Sequence, residues 1–210
     1  FLTNHGYAVA SIDYRLSGDA PFPAQIIDCR AAVRWLRAHA DEYNLASDRM
    51  GAWGLSAGGH LAALLGTTGD LLTIAGETAA NGSSAVQAIC DFSGPSDFTD
   101  TTLVEGVRGR DRLAIVTALF GGSPLDKRDL AKLASPITHV HAGDPPFFIV
   151  HGERDILVPP NQSKRLDAAL RKAGVPSTLH LLPAGTHALP LDRLQPQVVT
   201  FFDQYLKEKK

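Results

Sequence analysis

Four short apolar runs, separated by stretches long enough to be helices, restrict this chain to one kind of architecture. The runs are residues 50–55, 85–92, 147–151 and 177–182, and a fifth, GYAVASIDY, stands at 6–14. Between them the apolar residues recur at helical spacing. Pro23 opens a helix that runs to about Tyr43, with Ile26, Cys29, Val33 and Leu36 on one stripe and Arg30, Arg34 and Arg37 on the outer side. Further helices are predicted over His60–Gly66, over Asn161–Ala173 with Leu166, Ala169 and Leu170 inward and Gly174 ending it, and over Leu194–Lys207 with Leu194, Val198, Phe201 and Tyr205 on one face. Strands joined through helices re-enter a sheet in the same direction, so they pair in parallel and are covered on both faces. The expected fold is α/β, a mostly parallel sheet with helices on both faces, in a single domain over 1–210. Residues 98–142 break the alternation with polar stretches and Gly121-Gly122, and are predicted to form a small cap-like insertion of short helices and loops over one end of the sheet.

Charge and cysteine usage exclude several partners. The net charge is −2, and Lys and Arg are scattered, so there is no nucleic-acid footprint. The nearest basic run, VRGRDR at 107–112, is interrupted by Gly109 and Asp111 and is expected to be a solvated loop or helix face; the terminal Lys207-Glu208-Lys209-Lys210 is expected to be a solvated end. No window approaches the roughly 18 apolar residues of a membrane span. Cys29 and Cys90 both fall on apolar stretches and are expected to be buried, unpaired hydrophobes.

The chemistry starts at Gly54-Leu55-Ser56-Ala57-Gly58, a Gly-x-Ser-x-Gly between a predicted strand and a predicted helix. In that context the serine sits in a strained turn, its hydroxyl presented at the carboxyl end of the sheet over a helix N-terminus. Gly54 and Gly58 are expected where a Cβ would collide with the neighbouring strand or helix. A serine hydroxyl needs a base, and the base needs a carboxylate to fix its tautomer. Asp155 follows the strand at 147–151, with Glu153 as a rival two residues earlier; His187 follows the strand at 177–182. Asp155 is preferred to Glu153; the alternative for Asp155 is an Asx-turn residue, common in such loops. The order Ser56, Asp155, His187 is that of an α/β-hydrolase. Gly94, Pro95, Phe98 and Val158, at the carboxyl ends of the strands, are candidate substrate-pocket residues. His60 is expected to bond within the scaffold. Asp13-Tyr14-Arg15 is expected to hold a structural hydrogen bond and ion pair rather than substrate. His139, His141 and Asp144 resemble a metal half-site without a third ligand, so neither metal nor cofactor is expected.

With these residues in view the chain resembles the α/β-hydrolase serine esterases, in the hormone-sensitive-lipase-like branch and most closely the feruloyl-esterase-like carbohydrate esterases. The blocks that carry the resemblance are GYAVASIDYRLS (6–17), FPAQIIDCRAAVRWLR (22–37), GLSAGGHLAALLG (54–66), FSGPSDF (92–98), PPFFIVHGERDILVP (145–159) and the Gly-Thr-His ending at His187. The resemblance implies Ser56 as nucleophile, His187 as base, Asp155 as its orienting acid, the Ala57 amide as one oxyanion donor, and a small-molecule or carbohydrate-linked ester as substrate. A prolyl-oligopeptidase-like peptidase, and a non-catalytic binding module on the same fold, share some of these features. The family's His-Gly-Gly-Gly-type oxyanion loop has no counterpart here. The resemblance therefore implies a hydrolase lacking its first roughly 60–80 residues, including a strand between 6–14 and 50–55.

Overall fold

The computed structural model describes residues 1–70, 73–77, 82–105 and 108–208. The elements run α1 (Ala24–Ala38), β1 (Gly51–Leu55), α2 (Ala57–Thr68), β2 (Ala88–Phe92), α3 (Gly109–Phe120), α4 (Arg128–Ala134), β3 (Phe147–Gly152), α5 (Asn161–Lys172), β4 (Ser177–Leu182) and α6 (Leu191–Leu206). The four strands form one sheet in the order β1-β2-β3-β4, every neighbour parallel. Period-2 alternation divides β2 between two cores. Ile89 points into a cluster with Ile26, Leu61, Leu64, Ile149 and Leu166, beneath α1, α2 and α5. Ala88, Cys90 and Phe92 point the other way, onto Leu194, Val198, Phe201 and Phe202 of α6. Both cysteines are free and buried. Gly174 ends α5 with φ +81°, in the left-handed region that favours glycine.

Residues 98–142 hold a 3-10 turn, α3, α4 and a second 3-10 turn, and no strand among the described residues. The basic run is not uniformly solvated. Arg108 is exposed and pairs with Asp111, whereas Arg112 is buried on α3 and donates to the carbonyls of Leu103, Glu105 and Ile156. Val107 of that run, and the terminal Lys209 and Lys210, lie outside the described residues. The arginines of α1 also differ from expectation. Arg30 is buried against Glu77 and Ser84, Arg34 reaches Glu77, and Arg37 donates to the carbonyls of Ser47, Ser83 and Ala85. The Arg30 and Arg34 heads are thus paired with a carboxylate, and the Arg37 head satisfies backbone carbonyls.

The expected strand at 6–14 is absent. β1 is an edge of the sheet, and 7–16 is irregular, with Val9 58% and Leu16 63% exposed. The segment is held at its two ends. The Tyr7 hydroxyl donates to Asp203 of α6 at 2.7 Å, and the Arg15 guanidinium grips Asp28 of α1 at 2.8 Å. A strand exists through the ladder of a neighbour, and no strand among the described residues lies alongside this one.

Candidate active site

Ser56 occupies the one-residue turn between β1 and α2, at φ 58°, ψ −117°. Such a backbone is costly for a residue with a Cβ and persists where the surroundings dictate it. Here Ser56 N–H donates to Phe92 O of β2 at 2.7 Å, and His60 N–H donates to Ser56 O at 2.9 Å. Close packing explains the glycines. A Cβ at Gly54 would lie 2.1 Å from Gly58 O, and one at Gly59 would lie 2.5 Å from Asp91 Oδ1. At Gly58 a Cβ would meet nothing within 4 Å, so the second glycine required for space is Gly59, not Gly58.

His187 arrives on the loop after β4. Its approach depends on another glycine pair: a Cβ at Gly152 would sit 2.5 Å from the backbone of Gly185, and one at Gly185 would sit 2.9 Å from the Cα of Gly152. This contact draws the loop after β4 against the loop after β3. His187 Nε2 then lies 2.9 Å from Ser56 Oγ, and His187 Nδ1 lies 2.7 Å from Asp155 Oδ2. Asp155 is buried, and its Oδ1 accepts from the amides of Leu157 and Val158 at 2.8 and 2.9 Å. Burial alone would raise the Asp155 carboxyl, but the donors on it — His151, His187 and the amides of Val158 and Leu157 — outweigh burial and hold it below the ordinary carboxylate range. Glu153 stands apart: it is exposed, and its nearest cationic group is Lys164 at 4.0 Å.

A cavity of about 200 Å³ opens beside Ser56, mostly apolar, with Tyr14, Pro95, Phe98, Val116 and Val158 in its wall. Three of the four expected pocket residues line it. Gly94 does not: it packs under the wall, where a Cβ would lie 2.5 Å from His60 N. Tyr14 reaches the cavity, while its neighbour Arg15 makes the ion pair with Asp28. His60 is buried and joined to Ala134 O at 2.7 Å, and burial pushes its imidazole down to about 4. His139 is bonded to Leu133 O, His141 to Asp144, and no three-residue metal cluster occurs among the described residues. Sequence reasoning gave no role to Arg112 or His151, although both bear directly on this loop region; His151 ends a predicted buried strand, but nothing local points its ring at Asp155, and Arg112 carries no local signal of burial.

Comparison with known proteins places the chain in a family. The BD-FAE family model matches residues 1–170. The chain belongs to the BD-FAE family. This BD-FAE chain is 35% identical to the esterase LipQ and 32% identical to the esterase LipC, both of Mycobacterium tuberculosis, over 89% and 90% of its own length. It spans 44% and 47% of the length of those two relatives. Among solved structures it is similar to a truncated form of a carbohydrate esterase from gut microbiota (TM-score 0.78, 30% identity, 92% of this chain and 72% of that one). An esterase from Thermogutta terrifontis is also similar (TM-score 0.71, 26% identity, 91% of this chain and 68% of that one). The fold is that of the α/β-hydrolases.

Proposed function

We propose that this BD-FAE chain is the catalytic part of a serine hydrolase that cleaves carboxylic esters through an acyl-enzyme. The observation that carries the reading is the unbroken hydrogen-bonded chain from Ser56 through His187 to Asp155, at 2.9 and 2.7 Å, with the serine in a strained turn. In this reading Ser56 Oγ attacks the ester carbonyl carbon as His187 Nε2 takes its proton. Asp155 Oδ2 accepts from Nδ1–H, which fixes the tautomer and stabilises the imidazolium. The carbonyl oxygen becomes an alkoxide near the start of α2. Ala57 is the first residue of that helix, and first-turn amides lack an intrahelical acceptor, so its N–H is free to act as an oxyanion donor. His187 Nε2–H then protonates the leaving alcohol. Water, deprotonated by His187, attacks the acyl carbon; the bond to Ser56 Oγ breaks, His187 returns the proton to Oγ, and the acid is released. The apolar cavity beside Ser56 accepts the acyl or alcohol group, with Pro95, Phe98 and Val158 as contacts. The esterase names of the relatives support the ester class, and the carbohydrate esterase among similar structures supports a carbohydrate-linked ester.

The test is hydrolysis of nitrophenyl acyl esters against aminoacyl-proline anilides, in wild type and in Ser56→Ala and His187→Ala. Ester turnover that falls by about three or more orders of magnitude in either variant is the expected result. A Ser56→Ala protein that kept a tenth of the wild-type rate, or a wild type that cleaved only the anilides, would contradict the reading.

A further inference from the structure

The end of β3 carries a second imidazole, behind the carboxylate. His151 is fully buried and does not line the cavity. Its Nδ1 lies 2.6 Å from Ser163 Oγ of α5; its Nε2 lies 2.9 Å from Val158 O and 3.3 Å from Asp155 Oδ2. The carbonyl and the carboxylate facing Nε2 can only accept, so Nε2 holds the hydrogen and shares it between them. In the neutral ring Nδ1 is then bare, and the Ser163 hydroxyl donates to it. The ring is thereby fixed in one tautomer and one orientation. Asp155 Oδ2 consequently sits between two imidazole donors, His187 on one side and His151 on the other, while Oδ1 holds two amides. Asp91, on β2, is the other charged group bearing on His151, and α5 brings the neutral Ser163.

We propose that His151 is a positioning residue for the reaction: through Nε2–H it holds the Asp155 carboxylate in the orientation in which His187 meets it. The inference rests on the reading of Ser56, His187 and Asp155 as a working triad. The side chain does not itself line the cavity or reach Ser56, and it meets the wall residue Val158 only at its backbone carbonyl, so its effect falls on turnover more than on substrate binding. Losing one of its donors leaves the carboxylate's charge less neutralised, and it then holds the proton on His187 more strongly.

The experiment compares His151→Phe, which keeps a ring without nitrogen, with His151→Gln, which keeps an N–H donor. Both are made in the full-length protein, with folding monitored by circular dichroism. The expected result for Phe is an unchanged KM, a kcat lowered roughly ten-fold, the scale of one hydrogen bond to a charged group, and an acid limb of the kcat/KM profile moved to higher pH. Gln should recover most of the rate and return the limb. A folded Phe variant with wild-type kcat and an unmoved limb overturns the proposal, as does a Gln variant as impaired as Phe. Should the Phe variant fail to fold, Ser163→Ala decides: it frees the ring at Nδ1, so a lowered kcat at constant KM is expected, and wild-type turnover and pH profile overturn the proposal. Fluorophosphonate labelling of the wild type separates the two levels. Labelling at Ser56 with a wild-type-like Phe variant sinks only the role of His151; no labelling sinks both that role and the triad.

Discussion

The β2–β3 pair and the segment 7–16 are made of similar residues and end in opposite states. Ile89, Phe92, Ile149 and Val150 are fully buried, whereas Val9, Ile12 and Leu16 are exposed. Both stretches alternate or cluster apolar side chains in the way a strand does. The difference is neighbours. β2 has a parallel partner on each side and a helical layer on each face. The 7–16 segment has no ladder at all among the described residues; Tyr7 and Arg15 tie it to α6 and α1, and Tyr14 packs against the core. Hydrophobic pattern therefore specifies what a strand would bury, and pairing decides whether it becomes one.

Truncation of a core side chain should separate the two regions most sharply. Ile149→Ala is expected to lower unfolding free energy by about 2–5 kcal/mol, while Ile12→Ala should stay within about 0.5 kcal/mol, both read by urea unfolding. Equal losses would mean that 7–16 is buried in solution and that the contrast is wrong.

The buried layer should also carry a pH sensitivity of its own. His60 has its folded value pushed down to about 4, from 6.5, by burial. Between those values the unfolded chain binds a proton that the folded chain refuses. The contribution of neutral His60 is complete above pH 6.5 and is lost as pH falls toward 4, amounting to about 3 kcal/mol. Asp91, raised to about 6 by burial, gives the opposite slope in the same range, with stability falling as pH rises from about 3.8 to 6. The useful quantity is thus the difference between wild type and His60→Gln across pH 4–7. A difference that does not change with pH would show that His60 is not buried neutral.

A smaller contrast lies within the serine turn. Gly58→Ala meets open space in a helix and should be neutral, or stabilising by up to about 1 kcal/mol. Gly59→Ala drives a Cβ against Asp91 and the Phe92 carbonyl and should destabilise. Thermal unfolding of the two variants orders them; the reverse order would misplace the packing around Ser56.

These contrasts also mark what the sequence made legible. β1, β3 and β4 fall within a residue of the expected runs and β2 within three, because buried parallel strands are local, bounded apolar stretches. The ordering of Ser56, Asp155 and His187 was readable because each follows its own strand, and the structure brings them within hydrogen-bond distance. What escaped depends on contacts distant in sequence. Gly59 rather than Gly58 faces β2; Gly94 supports α2 instead of lining the cavity; and Arg112 and Arg30 are buried through partners 44 and 54 positions away. No local pattern encodes such approaches.

The central claim is that Ser56 is a nucleophile activated by His187, and covalent labelling measures it most directly. The protein is treated with a fluorophosphonate, and the modified residue is located by peptide mass spectrometry in wild type, His187→Ala and Ser56→Ala. One phosphonyl group on Ser56 in the wild type, strongly slowed labelling in His187→Ala and none in Ser56→Ala is the predicted result. An unlabelled wild type, or an adduct on any other residue, would contradict the account.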